Sequence, residues 1–453
     1  MFVDNSTDDL FANGIKVWAE RIRGGSLSFR ETMEVTLQRT ANSQTLNAFE
    51  CLDADRALET AKALDVLLRS GIDYGPLMGL PTGIKDIMSV QGLPTTNGSN
   101  ADTTDITPAE GTTVKRLREH GCVVMGKTRT VEFALGATGI NESRGTPWNP
   151  VDRHVHRLPG GSSSGSAVAT AAGLVGMALG TDTGGSVRIP ACFTGLVGYK
   201  SSVGLWPLDG IFELSPTLDS VGPLCRKVDD AALVHTCVTG RTVNGPTSLD
   251  GVRVGIPESY FFDDLDQKVA DDFEQACQAL EQQGARRVPV KFPEANERIG
   301  LFTSIVPPEL ISFLTPARFE AIRAGVDNVT EARAAAGLEV SAHAHLSARR
   351  RQKELIKKAL HTFQAVDVWL TPTCPFVPMP LDSLSDPEVH ARSLLASRNT
   401  QPGNLLNMCG LSLPMHTNGL PTGLQVLMPL NQDDELLAIG RTIERVLALR
   451  TVS

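Results

Sequence analysis

None of the eight cysteines (51, 122, 192, 225, 237, 277, 374 and 409) belongs to a CxxC pair, so neither a zinc knuckle nor a redox couple is indicated. No stretch reaches the roughly 20 apolar residues of a membrane-spanning helix. Residues 166–180 come closest, but glycine and alanine crowd them and Ser166 and Thr170 interrupt them; they read as a buried helix followed by a strand. The opening residues, MFVDNSTDDLFANG, carry no basic start and no apolar run of the kind a secretory signal needs. Positive charge is not in surplus: 42 basic against 51 acidic side chains leave a net charge of −9. That balance gives no support to nonspecific nucleic-acid or anionic-membrane binding. Low-complexity linkers and repeats of solenoid period are missing too. The expectation is a soluble cytoplasmic protein whose cysteines are reduced and mostly packed, Cys192 included.

What is present suits one large core or two ordinary ones: 453 residues, 41% of them hydrophobic. The first 70 residues alternate helical patterns with turns. SLSFRETMEVTLQRTA offers Ser26 and Ser28 as caps, and DADRALETAKALDVLLRSG ends on Arg69 and Gly71, cation then glycine. Glycine-bounded apolar runs such as GCVVMGK and GLVGMALGT then interleave with helical segments such as EGTTVKRLREHG, which argues for α/β layers. That pattern holds to about residue 240 and resumes at AVDVWLTPTCP and GLPTGLQVLMP. Residues 250–365 are richer in charge and helix, and the basic run ARRRQKELIKKAL reads as a solvated helix face. One α/β domain with a mainly helical insertion is the simplest architecture.

Three motifs carry alternative readings. GCVVMGKT (121–128) satisfies GxxxxGK[ST], which in a nucleotide binder is a flexible loop cradling phosphate. Here Cys122, Val123, Val124 and Met125 read as the strand itself, in the place where the loop belongs. His154 with His156, and His343 with His345, form HxH pairs that grip zinc only when a strand turns both to one face. The first lies in a loop-like stretch and the second in a helical one, and neither brings a third ligand; no metal and no cofactor is expected. HTNGLPTG (416–423) and SLDGVRVG (248–255) are turn signals leading toward strands.

The segment PGGSSSGSAVATAAGLVGMALGTDTGGS (159–186) holds five serines and no basic residue. Acyl transfer needs a hydroxyl, a proton acceptor and amides aimed at the developing oxyanion. Thr183-Gly184-Gly185-Ser186 offers consecutive N–H groups on a flexible turn with a hydroxyl beside them, although Ser186 reads equally well as a cap. The loop Pro159–Ser166 reads equally as a phosphate nest or an N-cap. A proton acceptor is absent from the segment. Lys85, in LPTGIKDIMSV, is a candidate: about one free lysine in a few thousand is neutral at pH 7, and burial raises that fraction. A lysine paired with its neighbour Asp86 is the competing reading.

In combination these stretches resemble the amidase signature family. The carrying residues are GIKDIMSVQGLPTTNGS (83–99), LPGGSSSGSAVATAAG (158–173), GTDTGGSVRIPACFTGLVGYK (180–200) and LDSVGP (218–223), joined by DVWLTPTCP and GLPTGLQVLMP. The likeness is strong over about 75–240, returns at the C-terminus and is faint over 250–365. The resemblance implies a single α/β/α sandwich across 1–453 with a large mixed twisted sheet. It also implies a Ser–cis-Ser–Lys triad: Lys85 as base, Ser162 as bridge after a cis peptide, and Ser186 as nucleophile. Thr183, Gly184, Gly185 and Ser186 would form the oxyanion hole, Ser163 would help position the lysine, and Asp182 and Arg188 would brace the loop as an ion pair. Ser164 stands where many members carry glycine.

The implied activity is hydrolysis of a small carboxamide through an acyl-enzyme, with no cofactor and no direct nucleic-acid or membrane partner. A homodimer is compatible with the family, though no interface is legible. The glutaminase component of a tRNA-dependent amidotransferase is the alternative, disfavoured because RNTQPGNLLNMCGLSLP (398–414) lacks an aspartate to grip glutamine's amino group. From another class, a nucleotide binder using GCVVMGKT is the remaining reading. Phe302, Ile305, Leu310 and Phe313 are candidates for an apolar acyl pocket, or for core.

Overall fold

The computed structural model describes residues 9–449 apart from 108, 246–247, 259 and 416–417. The start of the N-terminal stretch and the first two residues of the 416–423 turn therefore lie outside the described residues. Among the described residues eleven strands form one sheet: β1 (Phe49–Leu52), β2 (Pro81–Lys85), β3 (Val123–Thr128), β4 (Met177–Thr181), β5 (Val197–Lys200), β6 (Val221–Cys225), β7 (Arg253–Pro257), β8 (Arg286–Val290), β9 (Val368–Pro372), β10 (Cys409–Pro414) and β11 (Gly423–Met428). Their spatial order is β1-β3-β2-β4-β6-β5-β10-β11-β9-β7-β8. β2 runs parallel to β3 and β4, whereas β4 meets β6 antiparallel, so the sheet is mixed. The class is the α/β layered one that the alternation of patterns suggests.

Central strands are covered on both faces and read as near-continuous buried runs. β2, β3 and β4 are buried at every residue. The helix Ser164–Ala171, built of serine, alanine and valine, is small enough to lie flat on β4 and β2. Capping follows the sequence: Ser28 Oγ accepts from Glu31 N at 3.1 Å, and Ser28 N donates to the Glu31 carboxylate at 2.8 Å, starting the helix Phe29–Asn42. The helix Ala54–Arg69 stops before Gly71, whose φ of 89° suits a residue without Cβ.

The span 250–365 holds the helices Gln267–Gln282, Arg298–Leu314, Asn328–Glu339 and Ala342–Thr362, but it also supplies β7 and β8, which extend the common sheet at its edge. These two strands escape an apolar-run reading because β8, RRVPV, is a half-exposed edge strand carrying two arginines. The basic run lies on the helix Ala342–Thr362, where Arg351 and Lys358 pair with Glu297 and Glu294. No single described helix is long and apolar enough to cross a membrane.

GCVVMGKT is β3 itself, and Lys127 is buried against Asp86, its Nζ 2.7 Å from the carboxylate. His156 stacks on Trp148 with ring centroids 4.5 Å apart, and His345 bonds the Ser304 carbonyl. No cluster of metal-ligating side chains occurs among the described residues. Seven cysteines are buried and Cys51 is half-buried; Cys192 packs among Leu158, Phe193, Cys374 and Phe376.

Candidate active site

Parallel strands β2 and β4 end side by side, and open α/β sheets gather functional groups at such carboxyl ends. β2 ends on Lys85. Beyond β4 come Asp182 and the turn 183–187, which leads into the helix Arg188–Thr194. Ser162 and Ser163 enter from the loop that starts the helix Ser164–Ala171.

Lys85 is fully buried. Its Nζ donates to Ser162 Oγ at 2.7 Å and to Thr181 Oγ1 at 2.8 Å. It does not pair with Asp86, which faces away and bonds Lys127 and Thr96. Burial pushes the Lys85 ammonium down from 10.5 to about 7, with the negative charges of Asp219 and Asp182 opposing the shift. Burial likewise pushes Asp219 up to about 7, against hydrogen bonds from Thr183 Oγ1 (2.5 Å), Leu214 N and Ser215 N (both 2.9 Å).

The Gly161–Ser162 peptide is cis. The Ser162 carbonyl accepts from Val131 N and Thr130 Oγ1, which fixes the hydroxyl's base. Ser163 N donates to the Ser186 carbonyl at 3.2 Å, tying the two serine loops together. No hydrogen bond joins the Ser162 and Ser186 hydroxyls among the described residues; catalytic contacts of this kind often tighten only around substrate. Ser163 Oγ reaches the Thr181 carbonyl at 3.4 Å and not Lys85. Thr181 is the second side chain that holds the lysine amine beside Ser162, and Ser163 meets the same residue at its backbone carbonyl.

The turn is braced from below. Arg188 grips Asp182 through Nε and Nη2, both at 2.9 Å, and both side chains are fully buried. Its remaining donors reach Gln425 Oε1 and Asn404 Oδ1, each at 2.6 Å, which leaves this guanidinium no role toward a ligand. Burial opposes the Asp182 charge, yet Arg188, Lys200 and Asn404 hold its carboxyl well below the usual carboxylate range. Asp182 also accepts from Gly185 N at 2.8 Å. The Gly185 amide is thus engaged by the Asp182 carboxylate, unlike the other three N–H groups of the expected oxyanion set. The N–H groups of Thr183, Gly184 and Ser186 donate to no acceptor among the described residues. Gly185, at φ 122° and against Thr400, is a position only glycine fits, and a Cβ on Gly184 would lie 2.9 Å from the Phe302 ring, which would have to shift.

Thr183, Gly184 and Ser186 floor a cleft of about 560 Å³. Its wall includes Phe302, Thr303, Val306 and Pro307 from one face of the helix Arg298–Leu314. Of the four expected acyl-pocket residues only Phe302 lines it; Ile305 and Leu310 are core, and Phe313 packs edge-on against Phe212. Arg298, Arg333 and Gln401 also line the cleft, and nothing in the sequence marks them. Sequence reasoning does not single out Thr181 or Asp219 either, although both lie inside stretches that carry the family likeness.

A mixed sheet that ends in a buried lysine bonded to two hydroxyls, beside a turn whose amides have no acceptor among the described residues, is the architecture of an α/β enzyme. The Amidase family model matches residues 31–437. The 2-amino-5-chloromuconic acid deaminase of Comamonas testosteroni is 38% identical over 446 residues, covering 95% of each chain. The A-type component of the glutamyl-tRNA(Gln) amidotransferase of Acidothermus cellulolyticus is 34% identical over 481 residues, covering 96% of this chain and 94% of its own. The crystal structure of an amidase superposes with a TM-score of 0.88 at 32% identity, covering 95% of this chain and 99% of that one. The chain belongs to the amidase signature family, whose members hydrolyse carbon–nitrogen bonds.

Proposed function

We propose that the protein is an amidase that hydrolyses a small carboxamide to a carboxylate and ammonia or an amine, through an acyl-enzyme on Ser186. The observation that carries this reading is a wholly buried Lys85 Nζ, 2.7 Å from Ser162 Oγ and pushed down to about 7. An amine that is half neutral near pH 7 accepts a proton, which an ordinary lysine does not do.

In the first step Ser186 Oγ attacks the amide carbon. Its proton passes to Ser162 Oγ, and the Ser162 proton passes to neutral Lys85 Nζ. The carbonyl oxygen becomes an oxyanion and accepts from the N–H groups of Thr183, Gly184 and Ser186. Lys85 then returns the proton through Ser162 to the leaving nitrogen, the C–N bond breaks, and an ester to Ser186 remains. Water, deprotonated by the same relay, attacks that ester and releases the acid. No step draws on a bound cofactor or metal.

Ser186→Ala is expected to abolish turnover with the fold intact, and hydroxylamine should intercept the acyl group as a hydroxamate. Normal turnover by this variant, or no hydroxamate from a good substrate, would overturn the reading. The second reading, a glutaminase that works inside a larger complex, draws on the 34% identity to an amidotransferase component. Glutamine-dependent ammonia release that requires a copurifying partner would favour it.

A further inference from the structure

The cleft lining holds two guanidinium groups, Arg298 and Arg333, and no carboxylate. Arg298 is 8% exposed. Its Nη1 donates to Gln401 Oε1 at 2.6 Å and its guanidinium also bonds the Tyr260 hydroxyl, but its Nε has no hydrogen-bond partner and no ion pair compensates it among the described residues. Its neighbour Arg398 is similarly buried, carries an Nη2 with no partner among the described residues, and adds like charge, with Asp263 and Asp264 acting on Arg398 in the opposite sense. A buried cation without a counter-charge is strongly unfavourable, and a ligand anion relieves it. Gln401, which orients Arg298, packs against Gly184 of the oxyanion turn: a Cβ there would lie 3.2 Å from Gln401 Cγ. The cation thus stands one side chain away from the amides that face the acyl carbon.

We propose that Arg298, oriented by Gln401, binds a carboxylate of the substrate, so that the preferred substrates are monoamides of short dicarboxylic acids. The proposal rests on the amidase reading and deepens it. Because the lining offers no carboxylate to an ammonium group, amino-acid amides such as asparagine are poor substrates, while an anionic chain of the same length is accepted. Charge-assisted bidentate geometry suits arginine at this position better than lysine.

The test compares ammonia release from succinamate, butyramide and asparagine by the wild type, Arg298→Gln and Arg298→Lys. For the wild type, kcat/KM for succinamate should exceed that for butyramide by about 10- to 100-fold, the usual span for a hydrogen bond to a charged group. Arg298→Gln should lose most of that preference, mainly through KM, and Arg298→Lys should restore part of it. Equal use of succinamate and butyramide by the wild type, or an equal fall for both in Arg298→Gln, would overturn the proposal. Succinate, which cannot be hydrolysed, supplies a readout independent of turnover. It should raise the thermal midpoint of the wild type and of Arg298→Lys more than that of Arg298→Gln. If neither amide is turned over, the amidase reading fails, while stabilisation by succinate still decides the anion site: its presence supports the site and its absence overturns it. If Arg298→Gln does not fold, the succinamate preference of the wild type and of Arg298→Lys decides.

Discussion

The sharpest test of the proton relay is the pH dependence of kcat/KM. With Lys85 at about 7, roughly a tenth of the enzyme carries a neutral amine at pH 6, half at pH 7 and nine-tenths at pH 8. Activity that requires the neutral amine therefore rises about tenfold between pH 6 and pH 8 and then levels off. The depression from 10.5 corresponds to about 5 kcal/mol of differential solvation, a size that full burial without a directly paired carboxylate supplies. Asp219 gives the experiment a second arm. Its carboxylate, itself half-ionised at about 7, favours the ammonium form, so Asp219→Asn should move the rising limb to lower pH, the opposite of what loss of a general base would do. The assay is ammonia release under kcat/KM conditions from pH 5.5 to 9, on a neutral amide that does not itself titrate. A flat wild-type profile, or a limb that moves upward or stays in place in Asp219→Asn, would refute the reasoning.

Four further outcomes are expected. Ser162→Ala removes the bridge between Lys85 and the nucleophile and should lower kcat by about 100-fold or more, with hydroxamate formation falling in parallel. Arg188→Ala strands the buried Asp182 carboxylate and should cost about 3–5 kcal/mol in urea unfolding; an unchanged midpoint would contradict the bracing role. Gly185→Ala forces a side chain into φ 122° and into overlap with Thr400 Oγ1, a strain of about 1–3 kcal/mol, so kcat should fall while circular dichroism is retained. Lys127→Ala leaves Asp86 buried and uncompensated, for a similar loss of stability, and Mg·ATP should not shift the thermal midpoint of the wild type.

Lys85, Ser162 and Ser186 are singled out by the family likeness; read alone, their stretches allow an ion pair, a phosphate nest or a helix cap equally well. The choice between pairing with Asp86 and burial for Lys85 stays open in the sequence; it takes the fold to bring Lys127 of β3 to Asp86, just beyond the end of β2. Thr181 and Asp219 are not legible, because their roles depend on side-chain direction at a strand end and on a loop that brings the Asp219 charge near Lys85. Arg298 and Gln401 lie 103 positions apart and meet only after folding. Phe302 faces the cleft while Ile305 faces the core, a distinction that needs the helix's rotation about its axis, because apolar residues of LFTSIVPPELISFL fall on more than one face of it.

The clamp beneath the turn has a consequence for biosynthesis. Arg188 is joined to Asn404 and Gln425, partners 216 and 237 positions further along the polypeptide. A nascent chain carries the lysine and both serines long before either amide side chain has left the ribosome. Until then the turn that presents Ser186 lacks its foundation, so an incomplete translation product stays inert toward the amides around it.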